Sequence, residues 1–408
     1  MKTTKIFLLI SFIWVIGIYQ SKAQLQFQDS LKIRANAQLT HHDYKSVIAV
    51  MNAELNQNQS DADLFIFRGK AFLYCGQAGN AISDFSAAEK LKENSASYEL
   101  AQAYAAVGNA QYACNTLKKY LKTPHKKFQS EIKNDKYFEK ISDSKAWNNL
   151  WKEDFYSKIE QQLDEAQFEI SRDRDADAFA ILDKIISKNK SAAEALFMRA
   201  KLNAKNKDYK NALRDLDQTL KLKPENTDYL STRAEILFEN QKYQKALDDY
   251  NSLNQKIKCD ISFLKQKALT ENELKDFDNA KNDISAYLNF YSWDTEALYI
   301  AGKINFNEKN YFEALKSFNR CIEKDNSKTT YFEARGDVYF AIKTYEFAEK
   351  DYSMALDLVS SNGEVFYKKG LCRLALNNIE GACSDWKKSL ELGYFPAGDY
   401  LKKYEKKD

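Results

Sequence analysis

A strict 34-residue period governs this sequence. Ala178, Ala212, Ala246, Ala280, Ala314, Ala348 and Ala382 stand at that interval without a slip. Twelve residues before each stands another small residue: Ala166, Ala200, Ala234, Ala268, Gly302, Gly336 and Gly370. A fixed period of roughly 20 to 50 residues marks a chain whose units each bury an apolar face against their neighbours. Length alone, 408 residues, therefore says little about the number of domains.

The small pairs have a physical reason. Where two antiparallel helices cross closely, bulk at the crossing pushes the axes apart, so both positions must be small. Three residues before the second small position sits a large one: Tyr209, Tyr243, Phe277, Tyr311, Tyr345 or Ile379. Four residues after it, one turn on and on the same face, come Leu182, Leu216, Tyr250, Ile284, Phe318, Tyr352 and Trp386. Turn-like stretches such as Asn206-Lys207-Asp208 and Glu308-Lys309-Asn310 separate the two halves. Only 12 Gly and 3 Pro interrupt the chain, which favours helices throughout. Each unit thus reads as helix, turn, helix.

Ala200, Tyr209, Ala212, Leu216 and Pro224 follow an order of small, aromatic, small, large and terminal Pro. In this the sequence resembles the tetratricopeptide-repeat (TPR) family. Upstream the order returns in Gly69, Phe72, Gly76, Ala81, Phe85 and Ala88, again in Ala101, Tyr104, Gly108, Ala113 and Leu117, and in degenerate form around Ala35, Tyr44, Val47 and Met51. The run Ala382-Cys383-Ser384-Asp385-Trp386-Lys387-Lys388 resembles the closing repeat of exported bacterial members. The resemblance implies an all-α fold: a right-handed α-solenoid of about ten helix hairpins. An N-terminal sub-array of about three repeats spans 24–121 and seven in-phase repeats span 155–392. Between them, over 122–154, the phase is lost. Phe138, Ile141, Trp147, Leu150 and Trp151 keep helical spacing there without small pairs. That stretch reads either as short helices joining two sub-arrays, a place for a hinge, or as a decayed repeat. Residues 393–408 read as a helix stop at Gly393, a capping helix and a basic tail.

The start of the chain predicts export. Lys2 and Lys5 precede an apolar run from Ile6 to Ile18, and Ser21-Lys22-Ala23 supplies a small-x-small ending. This is the form of a signal peptide over 1–23, and the run is shorter than the ~18 to 20 residues of a spanning helix. Its removal leaves 58 basic against 58 acidic residues and no transmembrane segment. A neutral chain lacks the basic surplus that nucleic acid binding requires. The six Cys are too dispersed for a disulfide framework. Cys372 and Cys383, on the two helices of one repeat, are the pair whose placement allows a bridge.

No reacting constellation is legible. His41 and His42 are adjacent and diverge on any helix, and His125 stands alone. There is no nucleophile elbow, no phosphate-cradling loop and no Cys-x-x-Cys pair. The expectation is therefore no enzyme, no metal and no cofactor.

The family resemblance instead implies a concave groove lined by the first helix of each unit. Carried over residue by residue, it includes Lys70, Tyr74, Tyr98, Gln102, Phe197, Lys201, Lys205, Glu235, Phe238, Lys265, Tyr299, Lys303, Phe306, Asp337, Phe340 and Tyr367. Rings interleaved with Lys suit an extended peptide or a partner helix. The function this implies is a protein-binding scaffold in the periplasm or outside the cell. The alternative is a structural or assembly subunit of an envelope or secretion complex.

Overall fold

The computed structural model describes residues 29–257 and 260–404. The expected signal peptide, Cys259 and the last four residues of the basic tail lie outside them. The described residues form helices and no strand. They fall into two compact units, residues 29–240 with 252–257 and 260–261, and residues 241–251 with 262–404.

The first unit opens with three hairpins: α1 (29–40) and α2 (Tyr44–Leu55), α3 (Ala62–Tyr74) and α4 (Ala78–Leu91), α5 (Ser97–Ala106) and α6 (Ala110–Tyr120). Short elements follow: α7 (Gln129–Lys133), a 3-10 turn (Lys136–Ile141) and α8 (Lys145–Leu150). Regular hairpins resume with α9 (Lys158–Ser171) and α10 (Asp175–Lys188), then α11 (Ala193–Lys205) and α12 (Tyr209–Leu222), then α13 (Thr227–Glu239). Helix α14 (Tyr243–Lys256) is divided between the units. The second unit pairs α15 (Leu264–Glu273) with α16 (Phe277–Leu288), α17 (Thr295–Asn307) with α18 (Tyr311–Lys324), α19 (Thr329–Ala341) with α20 (Tyr345–Leu358), and α21 (Gly363–Ala375) with α22 (Ile379–Glu391). Helix α23 (Ala397–Tyr404) follows. Each unit is a stack of hairpins, the α-solenoid architecture.

The turn inside a hairpin is written in local chemistry. Lys207 adopts φ 61°, and its N–H and that of Asp208 donate back to Ala204 O and Asn203 O, closing α11. The Asp208 carboxylate then accepts from Asn211 N and opens α12. Lys275, Lys309, Lys343 and Asn377, in phase with Lys207, share the left-handed φ.

The crossing point explains the small pairs quantitatively. A Cβ placed on Gly302 would lie 2.4 Å from the Phe318 ring. The same addition at Gly69 meets Phe85 at 2.6 Å, at Gly336 meets Tyr352 at 2.8 Å and at Gly370 meets Trp386 at 2.4 Å. Every one of these rings sits sixteen residues after its glycine. Where the small residue is Ala, at Ala166, Ala200 and Ala268, the residue sixteen on is Leu182, Leu216 or Ile284. Volume lost on one helix is thus returned on the other; Ala234 with Tyr250 departs from this exchange.

A charge ladder runs beside the crossing. The Arg68 Nε and Nη2 donate to Asp84 at 2.8 and 2.7 Å, and its Nη1 reaches Asn52 of the preceding hairpin at 2.7 Å. Arg199 repeats this with Asp215 (2.8 and 2.9 Å) and Asp183 (2.6 Å). Arg335 does so with Asp351 (2.8 and 2.6 Å) and Asn319 (2.8 Å). Asp84, Asp215 and Asp351 are buried, and the bidentate fork offsets their loss of water. The pairing with Asp215 and with Asp351 holds Arg199 and Arg335 above their ordinary pKa. In the repeat of α17 and α18 both members are absent together, as Ala301 and Ser317.

The bridge that the placement of Cys372 and Cys383 allows is not formed. Cys372 turns toward Phe332, Ala348 and Tyr352 of the preceding hairpin, whereas Cys383 packs with Trp386, Ala397 and Tyr400. The two thiols therefore serve different interfaces, and burial pushes Cys372 up to about 12. At the end of the second unit, Gly393 (φ 84°) stops α22, and α23 lays Tyr400 and Tyr404 against the buried Trp386, with ring centroids 5.1 and 5.9 Å apart.

Two measurements test this packing. Gly302→Ala should lower stability by about 1–3 kcal/mol through overpacking, and adding Phe318→Leu should recover most of it in a thermal-melt double-mutant cycle. The second concerns Glu271, buried on α15, where Lys267 serves both it (3.1 Å) and Asp283 (2.5 Å). Burial first, then the Asp283 charge, pushes Glu271 up to about 7 from 4.5. The folded state then holds the extra proton, so this group's stabilisation is lost as pH rises between those values. Glu271→Gln should flatten that slope and, above pH 7, raise stability by on the order of 1 kcal/mol, read from urea unfolding across pH.

Candidate functional site: the exposed faces of the first helices

The sequence-derived groove residues fall on first helices, at three places within the two units. In the first unit, Lys201 and Lys205 on α11 and Glu235 on α13 line one cavity of about 480 Å3 with Tyr209, Thr232 and Ile236. Lys205 is held by Asp173 and Asp175, each at 3.0 Å. Lys201 makes no ion pair among the described residues and lies 5.6 Å above the Phe197 ring, which in turn packs on Tyr229 at 4.7 Å. The cavity walls strip water from Glu235 and push its carboxyl up, Glu239 adds to this, and Ser231 and Lys201 oppose it; its outer edge remains open to solvent. Phe238 is half-buried further along α13.

Residues nearer the N-terminus are differently placed. Lys70 on α3 pairs with Glu99 at 3.3 Å, and Tyr74 is exposed beside Tyr44, at 5.8 Å. Tyr98 and Gln102 on α5 do not face open solvent: both donate to one oxygen of Asp135, at 2.6 and 2.7 Å. Tyr98 is 7% exposed.

In the second unit, Lys265 on α15 binds Asp294 at 3.3 Å and also Glu296. Tyr299 on α17 packs between Phe318 and Tyr331, 5.7 Å from each, and Phe306 packs on Tyr311 at 6.0 Å. Lys303, between them and one turn from Tyr299, is half-buried and makes no ion pair among the described residues. On α19, Asp337 accepts from the Tyr352 hydroxyl at 2.7 Å and from Lys368 at 3.0 Å, while Phe340 packs on Tyr345 at 5.5 Å. Tyr367 on α21 lies between Tyr394 and Tyr400, at 5.3 and 5.6 Å.

A rule emerges that residue spacing did not announce. A first-helix Lys is neutralised by acids about thirty residues away, at the neighbouring first helix: Lys32 with Asp61 and Asp63, Lys70 with Glu99, Lys265 with Asp294 and Glu296. The signal was present as acids in first turns, where they also suit the helix dipole. Most groove lysines thus serve the stack, and their residual pull on a ligand is weak. Lys201 and Lys303 are the ones left to meet an external group. The arrangement suits contact with a partner of mixed charge and ring-bearing surface. Among the described residues no group of three or more His, Cys, Asp or Glu is placed to hold a metal, and no helix is long and apolar enough to cross a membrane.

Comparison with known proteins agrees with this architecture. Models of the tetratricopeptide repeat match residues 197–255 and 296–327. The DnaJ homolog subfamily C member 3 of Gallus gallus is 24% identical over 243 residues, 57% of this chain and 44% of the relative. Its Homo sapiens counterpart is 25% identical over 222 residues, 52% of this chain and 40% of the relative. The chain spans less than half the length of these curated relatives. A solved tetratricopeptide repeat protein from Parabacteroides merdae superposes with TM-score 0.51 at 21% identity, covering 60% of this chain and 97% of that one, a likeness of fold. Over 197–255 and 296–327 the hairpins thus match the tetratricopeptide repeat, within an all-helical solenoid architecture.

Proposed function

We infer that the protein is a non-enzymatic scaffold that holds a peptide or protein segment against the first helices of its repeats, outside the cytoplasm. The observation that carries the binding reading is the unspent cation on the second unit. Lys303 sits between Tyr299 and Phe306 with no ion-pair partner among the described residues, on a face where Lys265 and Lys368 are paired. A half-buried ammonium without a counter-charge is stabilised by a ligand that supplies one, and the flanking ring edges add area for an extended chain. The apolar leader form of residues 1–23 supports the location.

Lys303→Glu reverses that charge without touching the ring packing. With the purified protein as bait, recovery of its bound partner should fall at least fivefold, with the melting temperature unchanged. Unaltered recovery defeats the groove reading and favours a subunit that assembles through other faces. For the location, mass spectrometry of the protein from its native cell should find a mature N-terminus at Gln24; an intact Met1 in the cytoplasmic fraction overturns it.

A further inference from the structure

The segment between the two runs of regular hairpins does more than join them. Several of its polar side chains are spent on the first helices of the N-terminal hairpins, while Ser130 donates to Asp164 of α9, through its backbone N at 3.1 Å and through its hydroxyl. Asp135 accepts from Tyr98 Oη and Gln102 Nε2, at 2.6 and 2.7 Å, through a single oxygen, while its other oxygen accepts from Tyr137 N at 3.0 Å. Two residues on, Tyr137 packs against the core of α3 to α5 alongside Phe72 and Tyr104. The Lys127 ammonium stands 4.5 Å above the Tyr98 ring, and Lys140 Nζ caps the end of α5 at Ala106 O, 3.0 Å away. Tyr98 and Gln102 are groove positions by the repeat pattern, yet here the chain itself covers them.

We propose that residues 127–140 are an in-cis ligand: a strap that closes the binding face of the N-terminal hairpins and is displaced by a partner segment carrying Asp followed two residues later by an aromatic. The chemistry of the partner is copied from the strap. A carboxylate satisfies the Tyr98 hydroxyl and the Gln102 amide, which would otherwise be half-buried donors without acceptors. A ring two residues on fills the place of Tyr137. The strap is built to open before the hairpins do. It consists of a five-residue helix and a 3-10 turn, with few internal hydrogen bonds, whereas α3 to α6 are interlocked hairpins. Ile132, Phe138 and Ile141 are all buried with Trp147 and Leu150, so the release of residues 127–137 withdraws Ile132 from this core while Phe138 and Ile141 tether the far end. This inference stands apart from the reading of Lys303, and failure of either test leaves the other intact.

Two experiments on the full chain decide it. In native-state hydrogen exchange, amides of residues 129–137 should exchange at least tenfold faster than those of α5 residues 101–105; exchange in step with α5 makes the segment a fixed part of the core and overturns the proposal. In the second, a fluorescein-labelled peptide Asn-Asp-Lys-Tyr-Phe, the sequence of residues 134–138, is titrated by anisotropy. The variant Asp135→Ala with Tyr137→Ala should bind it at least tenfold more tightly than the unmodified protein, and adding Tyr98→Phe with Gln102→Ala should abolish the gain. Equal binding by the unmodified protein, or no binding by a variant that keeps its helical circular dichroism, overturns the proposal. If the variant does not fold, the exchange measurement on the unmodified protein decides alone.

Discussion

Close approach of two helices at one point per hairpin is the constraint on which this structure depends. A ring from the second helix lies where a Cβ on the first would be, at Gly69, Gly302, Gly336 and Gly370. Backbone and ring then touch without a gap, and dispersion between them replaces contacts with water. Because the total volume at the crossing is what matters, Gly with a ring and Ala with Leu or Ile are alternative solutions. The stack tolerates either as long as the two helices change together.

The charge ladder obeys the same logic with a different currency of interaction. An Asp buried beside the crossing, as at Asp84, Asp215 and Asp351, is tolerable only because an Arg of the first helix forks onto it and a second acceptor on the preceding hairpin completes the set. The ladder therefore ties hairpin to hairpin as well as helix to helix. Its simultaneous loss at Ala301 and Ser317 is what a paired burial requires. Where one Lys serves two acids, as Lys267 does for Glu271 and Asp283, the ledger is unbalanced and a carboxyl is left close to neutrality.

The same surplus of internal pairing shapes what is left for a partner. Most groove lysines are committed to acids of the neighbouring repeat, as Lys70, Lys205 and Lys265 are, and groove rings such as Tyr299 and Phe340 pack on other rings. What remains outward is a cavity between α11 and α13, an unpaired ammonium at Lys303, and ring edges. The N-terminal hairpins differ because a segment of the chain lies over them. The first-helix face is thus open at one place and covered at another within the same repeat design.

Residue spacing by itself determined the helix hairpins, their phase and their crossing points, because period 34 and the small pairs are consequences of local geometry that any neighbour must satisfy. The resemblance to tetratricopeptide repeats, and not spacing, implied which helix of each pair carries the groove positions. Spacing did not reveal the Arg–Asp ladder, although Arg or Lys just before the first small residue and Asp three after the second are in phase at Arg68 with Asp84, Arg199 with Asp215 and Arg335 with Asp351. Charged residues on helices are mostly solvated, so periodicity alone does not distinguish a buried pair from an exposed one. Which cysteines face each other, which lysines are already neutralised and whether a groove is filled were decided only by tertiary structure. Those depend on side-chain direction and on contacts between segments thirty or more residues apart, such as Asp135 with Tyr98 and Gln102, and a 34-residue pattern carries no information about a segment that has left the pattern.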